Sequence, residues 1–262
     1  MKGFYSDYLF QSWLCASLNM KSEWLARDNI PRCANLSRLD FIRDFEEPNR
    51  PVIITDAISG WPAMKRWDRP YLLEHAGHIP FATGPVDMTL ERFYNYADSV
   101  EEERPLYVFD PLFGTKAPRL VSDYDVPKYF DEDLFSILDS ERPHYRWLII
   151  GPARSGSSWH IDPNATSAWN AVVRGSKKWI LFPPGQVPPG VHPSPDGADV
   201  ATPVSITEWF MNFYDQTQRG GAPRPIEGIC KAGEVLFVPH GWWHLVLNLE
   251  EAVAVTQNFV SQ

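Results

Sequence analysis

A mainly β fold with flanking helices is what this sequence predicts, on three observations. After Arg142-Pro143 the chain breaks into short strand-like runs separated by turn residues, the spacing of a sandwich or barrel. Its 262 residues include 11 Trp and 24 Pro, which suits a turn-rich β core better than a helical bundle. The triplet His160-Ile161-Asp162 sits in one of those runs and His244 sits in another, 84 residues on, so a barrel would bring polar groups together from distant strands.

The length suffices for one compact unit with a sizeable core. Residues 1–142 are expected to form a helical and strand region packed on a barrel formed by residues 143–262. Phe4, Tyr8, Leu9, Trp13 and Leu14 recur near helical spacing, so 4–28 predicts one amphipathic helix or two. Residues 37–47 predict a helix with Ser37 as its N-cap. Residues 51–56 read as a short buried strand ended by the turn Gly60-Trp61-Pro62. Helices are expected over 68–77 and 89–97, a strand over 106–109, and a short helix over 131–139 capped by Asp131. The barrel strands are expected at 146–151, 158–162, 168–173, 177–182, 234–239, 242–249 and 252–260, with a helix over 205–218. Residues 183–203 hold seven prolines and read as a long surface loop, of the kind that often covers an active site. There is no internal repeat and no linker separating two domains.

Composition excludes several functions. The formal net charge is −9, and no Lys/Arg run tracks a phosphate backbone, so nucleic acid is not the expected main partner. An acidic surface suits basic peptides. Cys15, Cys33 and Cys230 are odd in number and far apart, which fits a reducing compartment and argues against a disulfide scaffold or cysteine zinc site. No apolar run reaches membrane-spanning length. Asp7, Gln11, Ser12 and Ser17 interrupt any signal-peptide core. Asn35-Leu36-Ser37 and Asn164-Ala165-Thr166 match the glycosylation pattern by chance, given that reading.

On a strand, His160 and Asp162 share a face, with Cα atoms ~6.6 Å apart, close enough to ligate one metal. A third ligand from His244, just inside a strand after a Pro/Gly turn, makes a two-histidine, one-carboxylate facial triad with open positions, which suits non-haem Fe(II) oxygenases. Alone, H-x-D is also an ordinary strand with two polar side chains, and a lone histidine is more often a core residue. His240 and His244 are four apart, but Pro239 and Gly241 deny the helix and glutamate of a zincin, leaving His240 structural or at the rim.

Alternation puts Lys177, Trp179 and Leu181 on one face and Lys178, Ile180 and Phe182 on the other. If the first face lines the barrel, Lys177 is a buried cation in need of an anionic partner, which a dicarboxylate co-substrate supplies. Lys178 is expected to be solvated. Thr256 and Asn258 share a face of the last strand; Thr256, Asn170 and Tyr107 are polar groups in apolar strands, suited to a carboxylate or to a merely wet face. Trp243, next to a ligand, is the candidate for the substrate entrance. The stretch from Gly151 to Ser158 imitates a phosphate loop but lacks its lysine and following helix, which rejects nucleotide binding.

Taken together, Ser157-Ser158-Trp159-His160-Ile161-Asp162, Ser167-Ala168-Trp169-Asn170, Gly175-Ser176-Lys177-Lys178-Trp179, Gly233 to Pro239 and Gly241-Trp242-Trp243-His244 resemble JmjC-domain 2-oxoglutarate oxygenases, nearest to the bifunctional arginine demethylase and lysyl hydroxylase branch. The resemblance covers roughly residues 36–260. It implies a double-stranded β-helix of the jelly-roll, cupin-like type, with Fe(II) held by His160, Asp162 and His244. It places 2-oxoglutarate contacts on Lys177, Asn170, Thr256 and Tyr107, and on Ser157, where the branch has threonine; O2 is the oxidant. The implied reaction is hydroxylation of a lysyl side chain in a protein, or demethylation of N-methyl arginine or lysine, as in histones, by the same chemistry, in the nucleus or cytoplasm. Relatives continue into C-terminal helices that support dimerisation; those helices are missing from this sequence, so a dimer is not carried over. Two readings stand beside it: a zinc-dependent cupin-like enzyme, and a catalytically idle fold serving as an interaction module.

Overall fold

A computed structural model describes residues 12–197, 199–219 and 224–261. Among the described residues fifteen strands follow in chain order. The first region holds β1 (Arg32–Cys33), β2 (Val52–Ile54), the hairpin of β3 (Pro80–Thr83) and β4 (Val86–Thr89), and β5 (Val108–Asp110). The second opens with β6 (Arg146–Gly151), β7 (Gly156–His160), β8 (Ser167–Arg174) and β9 (Ser176–Phe182). It continues through the two-residue strands β10 (His192–Pro193) and β11 (Val200–Ala201), and ends with β12 (Ile226–Lys231), β13 (Val235–Val238), β14 (Trp243–Asn248) and β15 (Ala252–Phe259).

Two sheets face each other, antiparallel throughout except that β1 pairs with β2 in parallel. The minor sheet has the order β12-β9-β14-β7. The major sheet has the order β1-β2-β13-β8-β15-β6-β5, so that β1, β2 and β5 extend its two edges. Successive strands β6 to β9 and β12 to β15 alternate between the sheets, which is the double-stranded β-helix.

Each sheet buries both faces, which explains near-continuous apolar runs such as Val235–Val238. The outer face of the major sheet packs under the first region: Phe41, Trp67, Phe93 and Phe130 join Trp169, Phe237 and Phe259 in one cluster. The outer face of the minor sheet, with Ile180, Phe182, Leu245 and Leu247, is covered by Trp24 and by Trp209 and Phe210 of the helix Ile206–Asn212. Between the sheets, Trp179, Leu181, Cys230, Leu236 and Val246 fill part of the interior.

Capping residues set several boundaries. Ser37 accepts from Asp40 N at 3.0 Å and starts Arg38–Phe41, which runs on as the π-helix Ile42–Glu46. Asp68, Thr89 and Ser205 cap Arg69–Ala76, Leu90–Ala97 and Ile206–Asn212 in the same way. The expected N-terminal helices are the segment 12–17 and Ser22–Leu25; Phe4, Tyr8 and Leu9 lie outside the described residues.

Four expectations need correction. The helix near 131 is a 3₁₀ helix, Leu134–Glu141, capped by Asp133, because Asp131 is held by Arg38 at 3.0 Å. The strand expected over 106–109 is Val108–Asp110. The proline-rich loop carries a short ribbon, β10 with β11. The strand expected at 158–162 spans Gly156–His160 and ends before Asp162. The hairpin β3–β4 and strand β12 went unpredicted: Glu227 and Gly228 interrupt the apolar pattern of β12, yet it pairs with β9 along its whole length.

Gly156 is where β7 meets β14. A Cβ there would run into the carbonyl oxygen of Val246, two residues from His244. Gly156→Ala is expected to destabilise the protein by about 1–3 kcal/mol through that clash; chemical denaturation against the parent protein checks it.

Candidate active site

β7 and β14 are neighbours, and their register puts His160 directly opposite His244. The two imidazole rings lie 4.1 Å apart. Asp162 reaches the same place from the start of the turn Pro163–Ala165, so the turn positions it and strand alternation does not. Its Oδ1 is 3.9 Å from His244 Nε2. One donor atom from each of the three residues falls within 4.8 Å of the others.

The backbone fixes both histidines. Nδ1 of His160 is 2.7 Å from Ser158 O, and Nδ1 of His244 is 3.0 Å from Trp242 O. A carbonyl only accepts, so each Nδ1 carries the proton and donates it, leaving Nε2 as the ligating atom. Burial, reinforced by neighbouring His244, pushes His160 down to about 4. It is therefore neutral near pH 7, the form a metal takes. Two imidazoles presenting Nε2 and a carboxylate, with no thiolate, fit Fe(II).

The triad opens into a cavity of about 550 Å³ between the sheets. Lys177, Asn170, Thr256, Tyr107 and Ser157 line it, so the five residues expected to hold a co-substrate lie around one space with the triad. Lys177 is 2% exposed, and its Nζ donates to Asn248 Oδ1 at 3.0 Å. Burial pulls its ammonium down to about 8, partly offset by Cys230. No carboxylate ion pair is formed by Lys177 among the described residues, so this buried cation fits the far carboxylate of a dicarboxylate ligand. Asn170 Oδ1 is buried without a partner. Tyr107 OH lies 3.2 Å from Ser157 Oγ, while Thr256 Oγ1 donates to Trp169 O at 2.9 Å.

Two placements differ from expectation. Trp243 is 6% exposed and packs with Trp159, Phe182 and Trp209 outside the minor sheet. It cannot form an entrance, because neighbours of His244 on a strand point away from the cavity. Lys178 is not solvated: it is fully buried, paired with Glu227 at 2.9 Å, and donates to Arg27 O at 2.7 Å.

Among the lining residues that sequence reasoning missed are Asn248, Phe109 and Trp147. Asn248 stands opposite Lys177 in register, and its Nδ2 donates to Ser155 Oγ at 2.9 Å. Alternation from His244 through Val246 to Asn248 carries that signal. Phe109 and Trp147, stacked with centroids 5.3 Å apart, had none beyond their type.

The chain is similar to known proteins along most of its length. The family model described as "Cupin-like domain" matches residues 81–262. The chain is 65% identical over 259 residues to the arginine-specific demethylase JMJ22 of Arabidopsis thaliana, covering 99% of this chain and 51% of the relative. It is 39% identical over 249 residues to the bifunctional arginine demethylase and lysyl-hydroxylase psr-1 of Caenorhabditis elegans (90% and 62%). Against the human 2-oxoglutarate and iron-dependent oxygenase JMJD4 it is 31% identical over 260 residues (86% and 59%). The chain thus spans about half to three fifths of the length of these relatives. It belongs to the cupin-like domain family, as a cupin-like JmjC domain.

Proposed function

We propose that this chain is an Fe(II)- and 2-oxoglutarate-dependent oxygenase that acts on arginine or lysine side chains of a protein. The observation that carries it is the His160, Asp162 and His244 triad opening onto a cavity that also holds a buried lysine with no carboxylate partner among the described residues. A dicarboxylate co-substrate gives that lysine a counter-charge, which favours this reading over a zinc enzyme or an idle fold. Relatives named as arginine-specific demethylase and as bifunctional arginine demethylase and lysyl-hydroxylase support a protein substrate. The 65% identity to the former moves demethylation of N-methyl arginine ahead of lysyl hydroxylation, which the sequence alone put first.

Iron bound at the triad, with 2-oxoglutarate and O2, supplies oxidative decarboxylation to succinate and CO2 and hydroxylation of a C–H bond; an N-methyl carbon so hydroxylated leaves as formaldehyde. The chain's own residues do the orienting. His160 and His244 present Nε2 because their Nδ1–H groups are tied to the backbone. Lys177, steadied by Asn248, pairs with the far carboxylate of 2-oxoglutarate and sets its distance from the triad. Ile149, Trp179, Val238 and Val246 supply the apolar part of the wall beside these polar groups. Free cysteines support action inside the cell, nuclear or cytoplasmic, and among the described residues no helix is long and apolar enough to cross a membrane.

Lys177 gives a pH signature. Below about 8 it is charged and ready for the carboxylate; above that, binding must take up a proton. Affinity for 2-oxoglutarate is therefore expected to fall as pH rises through about 8, approaching ~tenfold per pH unit. Calorimetric titration with Mn(II) in the site checks this; a flat profile from pH 7 to about 9.5 contradicts the role. Mass spectrometry of turned-over peptides separates a gained oxygen from a lost methylene.

A further inference from the structure

Phe109 on β5 and Trp147 on β6 stack with their ring planes 9° apart. Both line the cavity that holds the triad. Phe109 is 38% exposed and Trp147 is half-buried, whereas Trp67, Trp169 and Trp209 are sealed in the core. Trp147 stands in register with Thr256, and Thr256 with Asn170, so this row of lining residues runs across the major sheet from the open pair into the cavity. An open aromatic pair on that path is positioned to meet the incoming side chain.

The charges around it limit what that side chain can be. Among the described lining residues the only carboxylate is Asp162, which belongs to the triad, while Arg104 and Lys177 are cations. A lysyl ammonium is compact and strongly hydrated, and here it would shed water with no carboxylate to receive it. A guanidinium is planar and weakly hydrated, and it is accepted by an aromatic face. N-methyl groups remove donors that need partners and add apolar area.

We infer that the Phe109–Trp147 pair is the platform that receives the target side chain, and that it selects N-methylated arginine over lysine. This rests on the oxygenase reading above and adds the residues that decide its substrate. Three probes test it: Nα-acetyl amides of dimethylarginine, lysine and citrulline, the last planar but neutral. They are titrated by ligand-observed NMR into protein holding Mn(II) and 2-oxoglutarate, which binds without turnover.

The dimethylarginine probe is expected to bind about 3- to 30-fold more tightly than either of the others. Trp147→Ala removes that preference and Trp147→Phe keeps most of it, while 2-oxoglutarate affinity stays at the parent value and circular dichroism shows both variants folded. Equal binding of lysine, an undiminished preference in Trp147→Ala, or no binding of any probe to the loaded protein overturns the inference. Failure of the parent protein to bind 2-oxoglutarate at all overturns the oxygenase reading instead.

Discussion

Asp162→Ala is expected to abolish turnover and to weaken metal binding by at least ~100-fold. The two histidines stay in place without it, because Ser158 O and Trp242 O anchor their rings independently of Asp162. What disappears is the anionic ligand, and with it the charge that offsets a divalent cation in a site otherwise built of imidazoles. Outer-shell changes alone typically cost 10–100-fold in metal affinity, so loss of a direct ligand lies at or beyond that range. The fold should survive, since Asp162 lies past the end of β7 and adds nothing to the strand ladder. Mn(II) titration followed by electron paramagnetic resonance, with circular dichroism as the folding control, reads both outcomes. A variant that binds metal like the parent removes Asp162 from the triad.

The second large effect is on stability and lies on the opposite face of the minor sheet. Glu227 is fully buried on β12 and accepts from Lys178 at 2.9 Å, Tyr214 OH at 3.1 Å and Arg27 at 3.3 Å. Asn29 and Ile30 also donate their backbone N–H groups to Glu227 O, at 2.7 and 3.2 Å, so this cluster ties the N-terminal segment to the barrel. Glu227→Ala leaves Lys178 buried without its counter-charge, and burial already pulls that ammonium down. The expected loss is about 3–5 kcal/mol in equilibrium denaturation. Replacing both partners by apolar residues, Lys178→Met with Glu227→Leu, should recover most of it, because neither charge is then stranded. Equal losses in the single and double variants would contradict this account.

These two regions differ in how far the sequence revealed them. The triad was legible because the chemistry demands rare residue types at short spacing, and because a Pro/Gly turn marked the start of the strand holding His244. Even so, the reason given for Asp162 was incomplete: a turn, not the strand, delivers it. Lys177 was legible from alternation, a local rule. Lys178 was misread because the same rule sends it outward, and only the long-range packing of Trp24 and the helix Ile206–Asn212 makes the outer face buried. Trp243 was misread against the rule, since adjacency in sequence to His244 means the opposite face. Strand β12 was hidden because its charged residue is solved by a partner 49 residues earlier in the chain. Asn248 completes the lysine's surroundings through cross-strand register, which pairing alone reveals.

The central claim is that this triad and this lysine form one oxidising site. Its most direct test is succinate release from 2-oxoglutarate by the Fe(II)-loaded protein, measured with and without a dimethylarginine peptide library, beside Asp162→Ala and Lys177→Ala. The account predicts Fe(II)-dependent succinate that rises with peptide, falls to background in Asp162→Ala, and needs far more 2-oxoglutarate in Lys177→Ala. Succinate formation that persists in Asp162→Ala, or an unchanged 2-oxoglutarate requirement in Lys177→Ala, would contradict it.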